Sequence, residues 1–122
     1  MVKVIMHGCN GKMGQTISSL IAADEEIEVV AGIDAVDSGK NDYPVFHNIS
    51  ECTVEADAVI DFSVAAAVDG LLDYCAEKKL PCVLCTTGLS DTQLEKVKAT
   101  AEKTAVLKSA NMSLGINMLL KL

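Results

Sequence analysis

VKVIMHGCNGKMG, residues 2–14, opens with a β-branched and aliphatic run that breaks at Gly8. The next apolar positions, Met13, Ile17, Leu20 and Ile21, recur at helical spacing. The stretch therefore reads as strand, glycine turn and helix. IEVVAGI, residues 27–33, supplies a second strand ending at Asp34, twenty positions beyond Gly14. Strand, glycine turn, helix, strand and acid follow in the order of a dinucleotide-binding unit.

Outward from this unit, residues 35–44 (AVDSGKNDYP) carry the glycine, proline and polar clustering of a loop. Residues 56–62 (ADAVIDF) read as a third strand, with Ser63 placed to cap a helix running through Leu71, Leu72 and Cys75 to Lys79. A fourth strand, residues 81–86, stops at Thr87 and Gly88, and Ser90 with Gln93 forms a capping box for the next helix. Residues 104–108 (TAVLK) give a fifth strand. Continuous Val/Ile/Leu strands, each followed by a helix, predict an α/β fold: a Rossmann-type, doubly wound parallel sheet with helices on both faces. Such sheets bind ligands at the carboxyl ends of their strands. The positions to watch are therefore Gly8, Asp34, Asp61, Phe62, Ser63, Thr86, Thr87, Gly88, Ala110 and Asn111.

At 122 residues the chain has the size of one domain. Half of its residues are hydrophobic, enough apolar surface to offset the entropy of folding, so disorder is a poor reading. A net charge of −7 repels phosphate backbones, and 3% aromatics without Trp gives little to stack bases on; nucleic acid is not an expected partner. The opening apolar run is too short for a signal peptide or membrane span, so a cytoplasmic location without membrane contact is expected. Five cysteines, an odd number, argue against a disulfide framework. Cys82 and Cys85 spell C-x-x-C, but residues three apart on a strand point to opposite faces, so they read as buried thiols without redox or zinc chemistry.

In the motif GCNGKMG (residues 8–14) each glycine has a physical task. Gly8 allows a tight turn, Gly11 lets backbone N–H groups approach phosphates, and Gly14 lets the helix pack on the strand. Three glycines can also simply make a tight turn. Asp34 can accept hydrogen bonds from both hydroxyls of an adenosine ribose; its alternative is a solvated loop acid beside Asp37 and Asp42. Lys12 opposes the helix dipole but suits a diphosphate. The third and fourth strand ends should flank the nicotinamide half of the cofactor, although Ser63 could instead only cap and Gly88 only turn. Ala35 is no arginine and Asp34 repels a 2′-phosphate, so NADH is expected over NADPH, with Lys40 leaving NADPH open. No catalytic set can be assembled: His7 and His47 are the two histidines, His7 reads as core or cleft lining rather than a base, and no metal-ligand spacing occurs. Residues 113–122 form an apolar helix-like segment without a stop signal, either leading into a further domain or packing on the sheet.

Four segments in order, GCNGKMG (8–14), DFS (61–63), TTGL (86–89) and ANMSLGIN (110–117), resemble the N-terminal, nucleotide-binding domain of the dihydrodipicolinate reductase family. Cys85 departs from the glycine usual before Thr-Thr-Gly, and Ser63-Val64-Ala65 lacks a proline often found there. The resemblance implies that Gly8, Gly11, Lys12 and Met13 wrap the diphosphate and that Asp34 holds the ribose. It places Thr86, Thr87 and Gly88 near the carboxamide, and Ala110, Asn111 and Met112 at the nicotinamide. It implies a cofactor domain over residues 1–112, with residues 113–122 leading into a substrate-binding and oligomerisation domain not present here. That absent domain would bind the cyclic dicarboxylate of lysine and diaminopimelate biosynthesis and build a homotetramer. The chain by itself is then expected to bind NADH without turning it over. A non-catalytic dinucleotide- or CoA-binding module, or the cofactor domain of an aspartate- or homoserine-type dehydrogenase, stays open as an alternative.

Overall fold

Alternation along the first strand decides how the layers assemble. In β1 (Val2–His7) Val4 and Met6 face one way and Ile5 the other, and all three are fully buried. A strand apolar on both faces must be covered on both, and α1 (Lys12–Ala22) and α2 (Ala65–Lys78) do this. Ile17 and Ile21 of α1 pack with Val4, Met6, Ile60 and Val83. Val68, Leu71, Leu72 and Cys75 of α2 pack with Ile5, Val59 and Leu84. The computed structural model describes residues 2–23, 25–35, 41, 43–86 and 88–108, and Met13 by its backbone alone.

The remaining elements are β2 (Ile27–Ile33), β3 (Val45–Phe46), a 3-10 turn (Ile49–Glu51), β4 (Ala58–Asp61), β5 (Cys82–Leu84), α3 (Asp91–Ala101) and β6 (Val106–Lys108). All strand pairs are parallel, and the sheet order is β3-β2-β1-β4-β5-β6. From β1 the chain winds to one side through β2 and β3, then crosses to β4 on the other. Loops leaving β1 and β4 thus diverge, which opens a crevice at their carboxyl ends.

The predicted α/β class and the bounds of β2 agree with this architecture. Strands predicted at 56–62, 81–86 and 104–108 are shorter, and β6 is the sixth strand because β3 adds one. Ser90 and Gln93 form the reciprocal capping box, Gln93 N–H donating to Ser90 Oγ and Ser90 N–H to Gln93 Oε1. Ser63 is not the cap of α2. Val64 occupies the N-cap without a side-chain bond, because the Ser63 hydroxyl is drawn to Asp61. At its other end α2 closes on Lys79 in the left-handed region, φ 52°. Cys82 and Cys85 lie in the cores on opposite faces of the sheet, and all five cysteines are buried thiols. The segment 113–122 lies outside the described residues.

Candidate functional site

The glycine turn is held by contacts that admit no side chain at two of its positions. Gly8 has φ +88°, and a Cβ there would stand 2.5 Å from the Phe62 carbonyl oxygen. A Cβ on Gly14 would stand 2.1 Å from the Gly8 carbonyl oxygen. These two glycines let β4 and α1 close onto the turn. Gly11 differs: its Cβ would make only ordinary contact, 3.5 Å from Gly8 O, so packing does not demand glycine there. Its bare backbone is instead the N-cap of α1, which has no side-chain cap and no acid in its first turn. Such an end presents amide N–H groups and the positive end of the helix dipole to an anion.

Gly8 and Gly11 border a cavity of about 680 Å³, together with Asn10, Asp34, Phe62, Ser63 and the small residues Ala66, Ala67 and Gly70 of α2. Asp34 follows β2. Its N–H donates to Phe46 O at 3.0 Å, and its Oδ2 accepts the Asn10 N–H at 3.0 Å, fixing the carboxylate beside the turn. Helix N-terminus, carboxylate and cavity thus stand together at the carboxyl edge of the sheet, and a dinucleotide's diphosphate and ribose diol fit that donor and acceptor set.

A polar cluster that joins three strand ends reaches the cavity through His7 and Ser63. Asp61, fully buried at the end of β4, receives His7 Nδ1 at 2.8 Å, Ser63 Oγ at 2.6 Å and Ser63 N–H at 3.2 Å on Oδ1. Thr86, beyond β5, donates its hydroxyl to Oδ2 and accepts the Ser63 N–H at 3.1 Å. Burial pushes the Asp61 carboxyl up, but hydrogen bonds from His7, Ser63 and Thr86, with the His7 charge, outweigh it and hold the group below its ordinary value. An ionised carboxylate only accepts, so His7 carries a proton on Nδ1.

The structure therefore gathers Gly8, Gly11, Asp34, Phe62 and Ser63 around one cavity. Lys12 is exposed at the first residue of α1 and Gly14 lies behind the turn; neither lines it. Thr86 is buried against Asp61 and Ser63 and Gly88 is exposed, and neither lines the cavity. The Met13 side chain, Thr87, Ala110, Asn111 and Met112 lie outside the described residues. Sequence reading missed His47 and Asn48, which line the cavity ahead of the 3-10 turn. It also missed the His7–Asp61 pairing. The acid inside the apolar stretch AVID of β4 was its one signal, since a buried carboxylate needs a partner. Among the described residues no group of three or more His, Cys, Asp or Glu is placed to hold a metal ion.

A family model described as "Dihydrodipicolinate reductase, N-terminus" matches residues 2–112. The chain belongs to that family. It is 46% identical over 119 residues to 4-hydroxy-tetrahydrodipicolinate reductase of Clostridium tetani, covering 98% of this chain and 47% of the relative. The enzyme of the same name from Clostridium novyi is 49% identical over 119 residues, with the same coverage. The chain thus spans about half the length of the curated relatives it matches. Among solved structures, a dipicolinate-bound dihydrodipicolinate reductase from Paenisporosarcina sp. TG-14 superposes with TM-score 0.79 at 27% identity, over 97% of this chain and 50% of that one. A myo-inositol 2-dehydrogenase from Lactobacillus plantarum shares the fold, with TM-score 0.71 at 15% identity over 88% of this chain and 36% of its own. Fold and family together support a nicotinamide dinucleotide as the cofactor class. Among the described residues no helix is long and apolar enough to cross a membrane.

Proposed function

We propose that the chain is the NADH-binding domain of a 4-hydroxy-tetrahydrodipicolinate reductase. The observation that carries this reading is Gly11: glycine stands where packing does not require it, leaving the uncapped end of α1 open to the cavity that Asp34 borders. In this reading the amides of the first turn hold the diphosphate, with Lys12 nearby. Asp34 takes the adenosine ribose hydroxyls, and Phe62 and Ser63 form the opposite wall. Met13 joins Gly8, Gly11 and Lys12 at the diphosphate, and Thr86, Thr87, Gly88, Ala110, Asn111 and Met112 belong to the nicotinamide side. The bound dinucleotide supplies hydride to a cyclic dicarboxylate. No Lys or Arg lines the described cavity, so the dicarboxylate contacts are assigned to the part of the relatives that the chain does not match.

The same inventory supports NADH over NADPH, since Asp34 repels a 2′-phosphate and Ala35 brings no compensating charge. Calorimetric titration tests both statements. NADH should bind more tightly than NADPH, and Asp34→Ala should weaken NADH by ~1–3 kcal/mol, the worth of charge-assisted hydrogen bonds. An unchanged dissociation constant in the variant would remove Asp34 from the site.

A further inference from the structure

His7 has one ring nitrogen that nothing so far described employs. The side chain is almost wholly buried, at 3% exposure, and its Nδ1 is committed to Asp61 and lies 3.0 Å from Ser63 Oγ. Nε2 has no hydrogen-bond partner among the described residues. Yet no sealed side-chain nitrogen or oxygen among them lacks a partner, so Nε2 is not sealed. His7 itself lines the cavity, directly before Gly8 and the glycine turn.

We propose that His7 is a cofactor ligand, donating a hydrogen bond from Nε2 to the diphosphate of the bound dinucleotide while Asp61 serves as its fixed counter-ion. This rests on the dinucleotide reading above. Three observations favour phosphate over another group. The ring adjoins the turn whose amides face the diphosphate, and Asp34 already supplies an acceptor for ribose hydroxyls. Among the described lining residues the only side chains able to carry positive charge are His7 and His47, so a doubly charged diphosphate has no lysine or arginine within the wall. Asp61, fully buried, touches two hydroxyls and one imidazole, and only the imidazole can balance its charge.

Because Asp61 fixes the proton on Nδ1, a second proton can enter the ring only at Nε2, where it creates a donor aimed at the cavity. Among the described residues that line the cavity, the other charged or titratable groups are Asp34 after β2 and His47 ahead of the 3-10 turn. Asp69 of α2 is exposed and outside the cavity wall.

Two isosteric variants separate ligand contact from a structural role. His7→Asn keeps an amide donor at the Nδ1 position and deletes Nε2, whereas His7→Gln places an amide at the Nε2 position. NADH, ADP and adenosine are titrated into each protein by NMR, which reads weak affinities. His7→Asn should bind NADH and ADP roughly 10- to 100-fold more weakly, as for loss of a hydrogen bond to a charged group, with adenosine unchanged. His7→Gln should recover part of the ADP affinity. Equal ADP binding by wild type and His7→Asn, or an equal loss for adenosine, overturns the assignment. Should His7→Asn fail to fold, the nitrogen-15 shifts of the wild-type ring decide: both ring nitrogens must be protonated in the ADP complex, and a bare Nε2 refutes the contact. A wild-type chain that binds neither NADH nor ADP removes the dinucleotide reading and this one together. Tight wild-type binding with unaffected variants removes this one alone.

Discussion

Gly14→Ala should destabilise the fold although alanine is the better helix former. The added Cβ would meet Gly8 O at 2.1 Å, Cys9 Cα at 2.9 Å and Cys9 C at 3.0 Å, all backbone atoms that cannot swing aside. Restoring ordinary contact with Gly8 O requires α1 to retreat by about 1.3 Å, and a gap of that size forfeits half or more of the dispersion attraction it opens. Ile17 and Ile21, both buried against Val4, Met6 and Ile60, lose packing as the helix lifts. Each is worth ~1.5–3 kcal/mol when buried, and overpacking costs ~1–3 kcal/mol on similar grounds. Losing about half of that burial for the two isoleucines costs ~1.5–3 kcal/mol, and alanine returns at most ~1 kcal/mol of helix propensity, leaving a net loss of about 0.5–2 kcal/mol. The chain has no Trp, so urea unfolding is followed by far-ultraviolet circular dichroism. With a slope of ~2 kcal/mol per molar urea, the midpoint should fall by about 0.25–1 M. Gly70→Ala is the control, because a Cβ there meets nothing within 4 Å, and it should raise stability by ~0.5–1 kcal/mol. A Gly14→Ala midpoint at or above wild type would refute the close-approach reasoning.

Stability should also depend on the ionisation of Asp61. Its folded carboxyl lies below the ordinary 3.8, so the unfolded chain binds the extra proton and stability rises with pH through that window. The advantage of wild type over Asp61→Asn should be full above about pH 5 and shrink as pH falls below 3.8 toward the lowered value; an advantage constant down to pH 2 contradicts this. Alkylation at pH 8 should leave the five buried cysteines of the native chain unmodified and label all of them in urea. Cys85 should resist as well, its thiol pushed up to about 11 by burial and by the Asp61 charge; rapid native labelling of Cys85 would speak against the structure around β5. Lys79→Gly should stabilise by ~0.5–1 kcal/mol by relieving the left-handed φ of 52°, and an unchanged urea midpoint would show no strain there.

The unit running from Val2 to Asp34 was legible because its signals are local: an apolar run, glycines at fixed spacing, a helical period and an acid at a strand end. The C-x-x-C pair was legible for the same reason, since strand period alone sends Cys82 and Cys85 to opposite faces. β3 escaped notice because two residues carry no period. It exists through Gly32 N–H donating to Pro44 O and Asp34 N–H to Phe46 O, contacts that depend on β2 being in place. Ser63 shows the converse. A serine ahead of a helix is a natural cap, but Asp61 and Thr86 compete for its polar groups and Val64 takes the N-cap. The His7–Asp61 pair spans 54 positions of sequence, and only the parallel register of β1 with β4 makes neighbours of them.

That register also has a consequence for the chain as it is made. β1 is made before the other strands of this sheet and becomes central in it, yet its second neighbour, β4, begins at Ala58, opposite Val4. At 5–20 residues per second, a ribosome needs about 3–11 s to add the residues between those two partners. Over that interval a strand apolar on both faces is pairable with β2 along one edge and open along the other, the condition under which unpaired edges recruit other chains. Slower translation of residues 34–58 should lengthen this exposure and lower the soluble yield, whereas a chaperone that shields nascent strands should restore it, with no change in the stability of the finished fold.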